Sequence, residues 1–325
     1  MTADSDGFPS SADILSAAER IKPYVRHTPL LSSATINKML EAEVYFKCEN
    51  FQKVGAFKAR GATNAIRSLQ ADQLSNGVAT HSSGNHAQAL SWAASLAGAK
   101  AFIVMPDNSP KVKVDAVRGY GGMIFFCEPT LEARETTLKR VIEETGAIEI
   151  HPYNNKRIIA GQATAALEMI NDLGHLDMII APVGGGGLLS GTALSTFFFS
   201  EGTKVIAAEP EEANDAWRSF QARQFIPSIN PVTIADGLKT SLGSLTFPII
   251  LDHVHDIVTV SEASIIKAMR LIWERMKIII EPSSAVPVAA LTEKKTEVRN
   301  LKVGVILSGG NVDLDKLPWI SHGKR

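Results

Sequence analysis

The chain is poor in cysteine: Cys48 and Cys127 are its only two, too few for a disulfide framework and in keeping with a reducing compartment. It has no excess of either charge. Its 33 Lys and Arg stand against 34 Asp and Glu, so no global field favours nucleic acid or an anionic membrane surface. No apolar run approaches the ~18 residues needed to span a bilayer. The amino-terminal stretch MTADSDGFPSSAD lacks the basic and apolar regions of a signal peptide. Aromatics are sparse at 6%, but 45% hydrophobic and 21% charged residues exclude a disordered or collagen-like chain. A soluble, cytoplasmic, globular protein is expected, with no nucleic-acid or membrane partner. Its 325 residues suit about two domains at roughly 150 residues each.

What is present is an alternation of short apolar runs and longer helical patterns. Buried strands are read at Val44–Phe46, Gly77–Thr80, Ala101–Met105, Met123–Phe126, Met178–Val183, Lys204–Ala208 and Lys302–Leu307. Helices are read at Phe57–Leu69, Asn85–Leu96, Lys111–Tyr120, Leu131–Glu144, Ile158–Leu173, Leu188–Phe199 and Glu262–Met276. This order predicts a layered α/β fold with mainly parallel sheets. No repeat, low-complexity tract or linker marks a boundary, so the domains are read as interleaved.

Open α/β sheets bind ligands beyond the carboxyl ends of their strands, which directs attention to three strand-to-helix junctions. Ser82-Ser83-Gly84-Asn85-His86 combines hydroxyls, an amide and free backbone N–H groups at a helix start, a receptor for carboxylate or phosphate. A serine N-cap followed by glycine explains it equally well. Gly184 to Gly187 form a cradle in which backbone amides can approach a phosphate. A dinucleotide site is the rival there. The G-x-G-x-x-G frame fails, ending on Leu189 or Ser190, yet Glu209 closes the next strand near the ribose-binding position. Ser308-Gly309-Gly310-Asn311 ends the last clear strand and could meet a flat ring edge-on, though a plain loop explains it equally well.

Lys58 follows Phe57 at the start of a helix. A positive helix end and partial burial would both depress its pKa, as an imine-forming amine requires. A surface lysine is the ordinary reading of any one Lys. The combination of amine, phosphate cradle, ring-nitrogen partner and carboxylate pocket is what pyridoxal phosphate demands.

Gly55-Ala-Phe-Lys-Ala-Arg-Gly61, His81-Ser-Ser-Gly-Asn-His86, Gly184 to Gly187 and Ser308-Gly-Gly-Asn311 together resemble the fold-type II pyridoxal-phosphate enzymes of the serine/threonine dehydratase family, serine racemases among them, from about Ile14 to Leu314. The resemblance implies two interleaved α/β domains of the tryptophan synthase β type, a large one over 1–76 and 152–325 and a small one over 77–151. It implies that Lys58 holds the cofactor, with Phe57 beside the ring, Asn85 at the ring hydroxyl, Gly184, Gly185, Gly186 and Gly187 at the phosphate and Ser308 at the pyridine nitrogen. Ser82, Ser83, Asn85 and His86 would grip the substrate carboxylate, and Ser83 would face Lys58 across the α-carbon. Racemisation of serine would then run between Lys58 and Ser83, and loss of the β-hydroxyl would give pyruvate and ammonia.

The same resemblance implies a Mg²⁺ (or Ca²⁺ or Mn²⁺) site at Glu209, Ala213 and Asp215, and a homodimer. Without it, those acids read as an acidic helix start. Ser33, Lys53, Gln88, Tyr120 and Lys277 match parts of an ATP activator site of animal racemases, from which Ala34 and Val54 depart. Ala59 and Ala163 replace residues frequent in the family, and Tyr153 stands where animal racemases carry Asn. The sequence ends soon after Asp313, leaving no room for the regulatory domain of biosynthetic threonine dehydratases. Three alternatives stay open at this stage: a catabolic threonine/serine dehydratase, an NAD-dependent dehydrogenase that gives Lys58 no role, and a non-catalytic amino-acid sensor.

Overall fold

The computed structural model describes residues 7–320, so residues 1–6 and 321–325, at the two ends of the expected large domain, lie outside it. Among the described residues ten strands form in chain order: β1 (Leu30–Ser32), β2 (Glu43–Cys48), β3 (Val78–His81), β4 (Ala101–Pro106), β5 (Gly122–Cys127), β6 (Ile148–Glu149), β7 (Met178–Pro182), β8 (Lys204–Pro210), β9 (Asp256–Val260) and β10 (Lys302–Leu307). They build a six-stranded sheet in the order β1-β2-β10-β7-β8-β9 and a four-stranded sheet in the order β5-β4-β3-β6. Among the described residues β1 pairs antiparallel with β2, and the other pairings between these strands are parallel. Central strands such as β7 and β4 are buried along their whole length, which is why their sequences are continuous apolar runs rather than alternating ones.

The parallel order sends several strand ends toward one side, where the loops after β3, β7 and β10 meet. Helix Lys58–Arg67 joins the two sheets there. Its Ala62, Ala65 and Ile66 pack into the core of the four-stranded sheet with Val78, Leu90 and Ile103. Its other side crosses helix Lys156–Leu173 at two glycines, where a methyl on Gly161 would lie 2.6 Å from Gly61 Cα. The helix is pinned at its start as well: Phe57 N–H donates to Ser308 O at 3.0 Å, and Ala56 bridges Gly309.

A buried ionic cluster fixes the same helix. Arg60, fully buried, donates to both oxygens of Glu49 at 2.8 Å and to both of Glu168 at 2.7 Å. Buried Lys47 adds a second cation, donating to Glu168 at 2.6 Å and to Thr28 O at 2.8 Å. Two cations and two anions balance, and each is hydrogen-bonded, which is the condition under which burial of charge is tolerated. Removing one partner strands the others. Arg60→Met is expected to cost about 3–5 kcal/mol in denaturant unfolding, and a loss within about 0.5 kcal/mol, the range of an ordinary surface change, would contradict this role.

Candidate active site

Lys58 begins its helix two residues before Arg60, and its amine donates to Pro152 O at 2.7 Å. Burial with no carboxylate beside it lowers its pKa to about 8. Its surroundings are kept uncharged too. His86 is held well below its usual pKa by burial and by the Lys58 charge. His151 falls to about 4 through burial, His81 and Lys58. His151 Nδ1 accepts from the N–H groups of Tyr153 and Asn154, so its proton resides on Nε2. His86 Nε2 donates to Ile150 O at 3.0 Å.

The Ser82–Asn85 loop follows β3 directly and opens helix Asn85–Leu96. Ser82 N–H donates to Val104 O, and Ser82 Oγ accepts weakly from Gly84 N–H at 3.4 Å. Asn85 is aimed by two partners: its Nδ2 donates to both Glu281 oxygens at 2.9 and 3.2 Å, and its Oδ1 accepts from Asn311 at 2.9 Å. Glu281 is buried, and burial together with Asp236 pushes its carboxyl up to about 8. At the end of β10, Ser308 is buried with its hydroxyl 3.1 Å from that of Ser284.

The glycine loop follows β7 and opens helix Gly187–Phe199. Gly186 adopts φ 88°, a left-handed conformation that disfavours side chains. A methyl on Gly184 would lie 2.9 Å from Leu238 Cα, and one on Gly186 2.8 Å from Thr246 Cβ, so the loop is closed to any larger residue. A half-buried amine with its pKa lowered to about 8 and a Cβ-excluding cradle at a helix N-terminus fit an aldehyde cofactor carrying a phosphate.

The structure therefore brings Lys58, Phe57, Ser82, Ser83, Asn85, His86, Gly184–187 and Ser308 to the meeting of three strand ends. Pro152 and Thr246 were not singled out by sequence reasoning; Glu281 and Ser284 entered it only within the stretch Glu281-Pro-Ser-Ser284, which resembles the animal racemases, with no role attached. Ala59 and Ala163 are buried in helix packing.

Glu209 and Asp215 lie close enough for the Asp215 charge to raise the Glu209 pKa, after burial itself. Glu209 is fully buried and accepts from the N–H groups of Ala216 and Trp217 at 3.0 and 2.8 Å. Both Asp215 oxygens are buried without a hydrogen-bond partner, and burial lifts its carboxyl to about 6. Two carboxylates, one of them unpartnered, together with the Ala213 carbonyl suit a hard divalent cation. Of the nucleotide-site candidates, Lys53 and Tyr120 line a cavity of about 440 Å³ with Arg26, Val54, Trp92 and Asn311. Ser33, an N-cap, and Lys277, a helix C-cap at φ 60°, lie outside its wall, and Gln88 is buried.

Fold and site together define a fold-type II pyridoxal-phosphate enzyme. The model of the pyridoxal-phosphate dependent enzyme family matches residues 21–309, and the chain belongs to that family. It is 51% identical over 312 residues to the β-hydroxyaspartate dehydratase of Paracoccus denitrificans, covering 96% of this chain and 99% of that one. It is 50% identical to the serine racemase of Dictyostelium discoideum, covering 95% and 96%. Among solved structures, maize serine racemase superposes with a TM-score of 0.93 at 44% identity, covering 95% of each chain. These relatives give no support to the nicotinamide reading.

The depressed Lys58 pKa has a direct consequence. Reaction of cofactor-free protein with pyridoxal 5'-phosphate, followed by visible absorbance, should accelerate as pH rises, with a midpoint near 8. A midpoint near the ordinary lysine value of 10.5 would contradict the assignment.

Proposed function

We propose that the protein interconverts L- and D-serine with pyridoxal 5'-phosphate and also eliminates the β-hydroxyl of serine to give pyruvate and ammonia. The observation that carries this reading is the half-buried Lys58 amine, its pKa lowered to about 8, held by Pro152 O and close enough to His86 to act on its charge. When bound, the cofactor supplies an electron sink for the substrate α-carbon. The amides of Gly184–187 and the N-terminus of helix Gly187–Phe199 hold the phosphate. Asn85 addresses the ring hydroxyl, Phe57 flanks the ring, and Ser308 presents a neutral hydroxyl to the ring nitrogen. Ser82, Ser83, Asn85 and the backbone up to His86 receive the substrate carboxylate. Lys58 removes the α-proton on one face, and Ser83 supplies a proton on the other.

Residues 77–151 form the proposed small domain, which carries Ser83 and closes over the substrate to exclude water. Mg²⁺ or a similar ion sits at Glu209, Ala213 and Asp215. ATP is proposed as activator through Lys53 and Tyr120. A cytoplasmic homodimer is the expected working form. A second reading has one finding in its favour: a relative 51% identical to this chain is a β-hydroxyaspartate dehydratase, which makes an acidic substrate such as 3-hydroxyaspartate the alternative to serine.

Incubation of cofactor-loaded protein with L-serine and Mg²⁺, analysed for D-serine and for pyruvate, tests the proposal. Both products are expected, and Ser83→Ala should abolish D-serine while pyruvate persists. Inertness toward serine alongside turnover of 3-hydroxyaspartate would replace the first reading with the second. For the cation, Mg²⁺ should raise the melting temperature of the wild-type protein. Asp215→Asn should melt higher than wild type in the absence of metal, because an uncompensated buried charge is gone, and gain nothing from Mg²⁺. An equal Mg²⁺ increment in both proteins would move the cation elsewhere.

A further inference from the structure

Residues 151–155 cross from Lys58 to the glycine cradle without forming a helix or strand. The Pro152 carbonyl receives the Lys58 amine, and the next residue, Tyr153, lies against the cradle. A methyl on Gly185 would fall 2.3 Å from Tyr153 Cδ1 and 2.4 Å from Cε1, and one on Gly187 would fall 2.9 Å from Tyr153 Cβ. The phenol ring thus occupies the space that side chains of the cradle would take. His151 meets the ring edge-on, with centroids 4.6 Å apart at 88°. The Thr240 side chain is the polar group beside its hydroxyl. Asn154, one residue on, is tied to Ser244 and to Leu245 N–H. From another direction Thr246 Oγ1 donates to Gly185 O at 2.8 Å.

The geometry points to Tyr153 as a cofactor-positioning residue: its ring is a wall that fixes the peptide planes of Gly185 to Gly187 for the phosphate, and its bond to Pro152 links that seat to Lys58. A flat ring suits the task because it offers a large rigid face at little conformational cost. It is the ring, not the hydroxyl, that lies against Gly185, so the ring carries the function. The inference rests on the cofactor and holds whichever amino acid is the substrate.

Cofactor-free wild type, Tyr153→Phe, Tyr153→Ala, Gly185→Ala and the Tyr153→Ala/Gly185→Ala double variant would be titrated with pyridoxal 5'-phosphate, and also with pyridoxal, which lacks the phosphate. Visible absorbance reports binding, and melting temperature reports folding. Tyr153→Phe should bind the phosphate form within about twofold of wild type, and Tyr153→Ala about tenfold more weakly. Pyridoxal binding should be unchanged in both. Gly185→Ala should weaken binding less in the Tyr153→Ala background than alone, because the clashing ring is gone. Equal weakening by Phe and Ala would transfer the role to the hydroxyl and overturn the proposal. Equal weakening toward pyridoxal and its phosphate, or strictly additive effects of the two substitutions, would overturn it as well. If Tyr153→Ala does not fold, Tyr153→Leu, bulky but not flat, must show the same selective loss.

Discussion

A primary amine held half-buried, with no carboxylate beside it, is the constraint on which the remaining structure depends. Lys58 is of use to a carbonyl cofactor only when unprotonated, and burial without a carboxylate partner is what lowers its pKa to about 8. An amine in such a place needs an acceptor, which the Pro152 carbonyl provides, and neighbours that carry little charge. Burial and the Lys58 charge together keep His86 and His151 neutral, so electrostatic isolation is a property of the whole pocket rather than of one residue.

Holding the amine still requires a rigid helix, and the chain achieves this with charge as well as packing. Arg60, two residues after Lys58, is the centre of a set of hydrogen-bonded ions with Glu49, Glu168 and Lys47. Nearby, the end of β10 clasps the start of the same helix through Phe57 and Ser308. The contrast with Asp215 is instructive. Where ions are balanced, burial of charge is tolerated, whereas the Asp215 oxygens are buried without a hydrogen bond to offset their desolvation.

Much of this architecture was legible in the sequence because parallel strands buried on both faces write themselves as continuous apolar runs. β4, β7 and β10 were found within a residue of their ends, and helices Asn85–Leu96 and Glu262–Met276 at the ends expected. Helix Pro282–Thr292 was missed because it is apolar all round and contains Pro287, which removes both the periodic signal and the propensity signal. β6 has two residues, too few to show a period. Within the site, glycines, hydroxyls and Lys58 announce themselves by type and spacing. Pro152 and Glu281 do not, since their roles arise from contacts to residues 94 and 196 positions away. Tyr153 was visible only as a departure from the expected residue, and its place against Gly185 is a fact of tertiary structure.

The central claim is that Lys58 and Ser83 serve opposite faces of one substrate carbon, and solvent deuterium tests it most directly. In deuterated buffer, cofactor-loaded wild type acting on L-serine should place deuterium at the α-carbon of both enantiomers. The Ser83→Ala protein should label recovered L-serine alone, through Lys58, and Lys58→Ala should label neither. Continued labelling of L-serine by the Lys58→Ala protein would contradict the account, because another base would then be removing the α-proton.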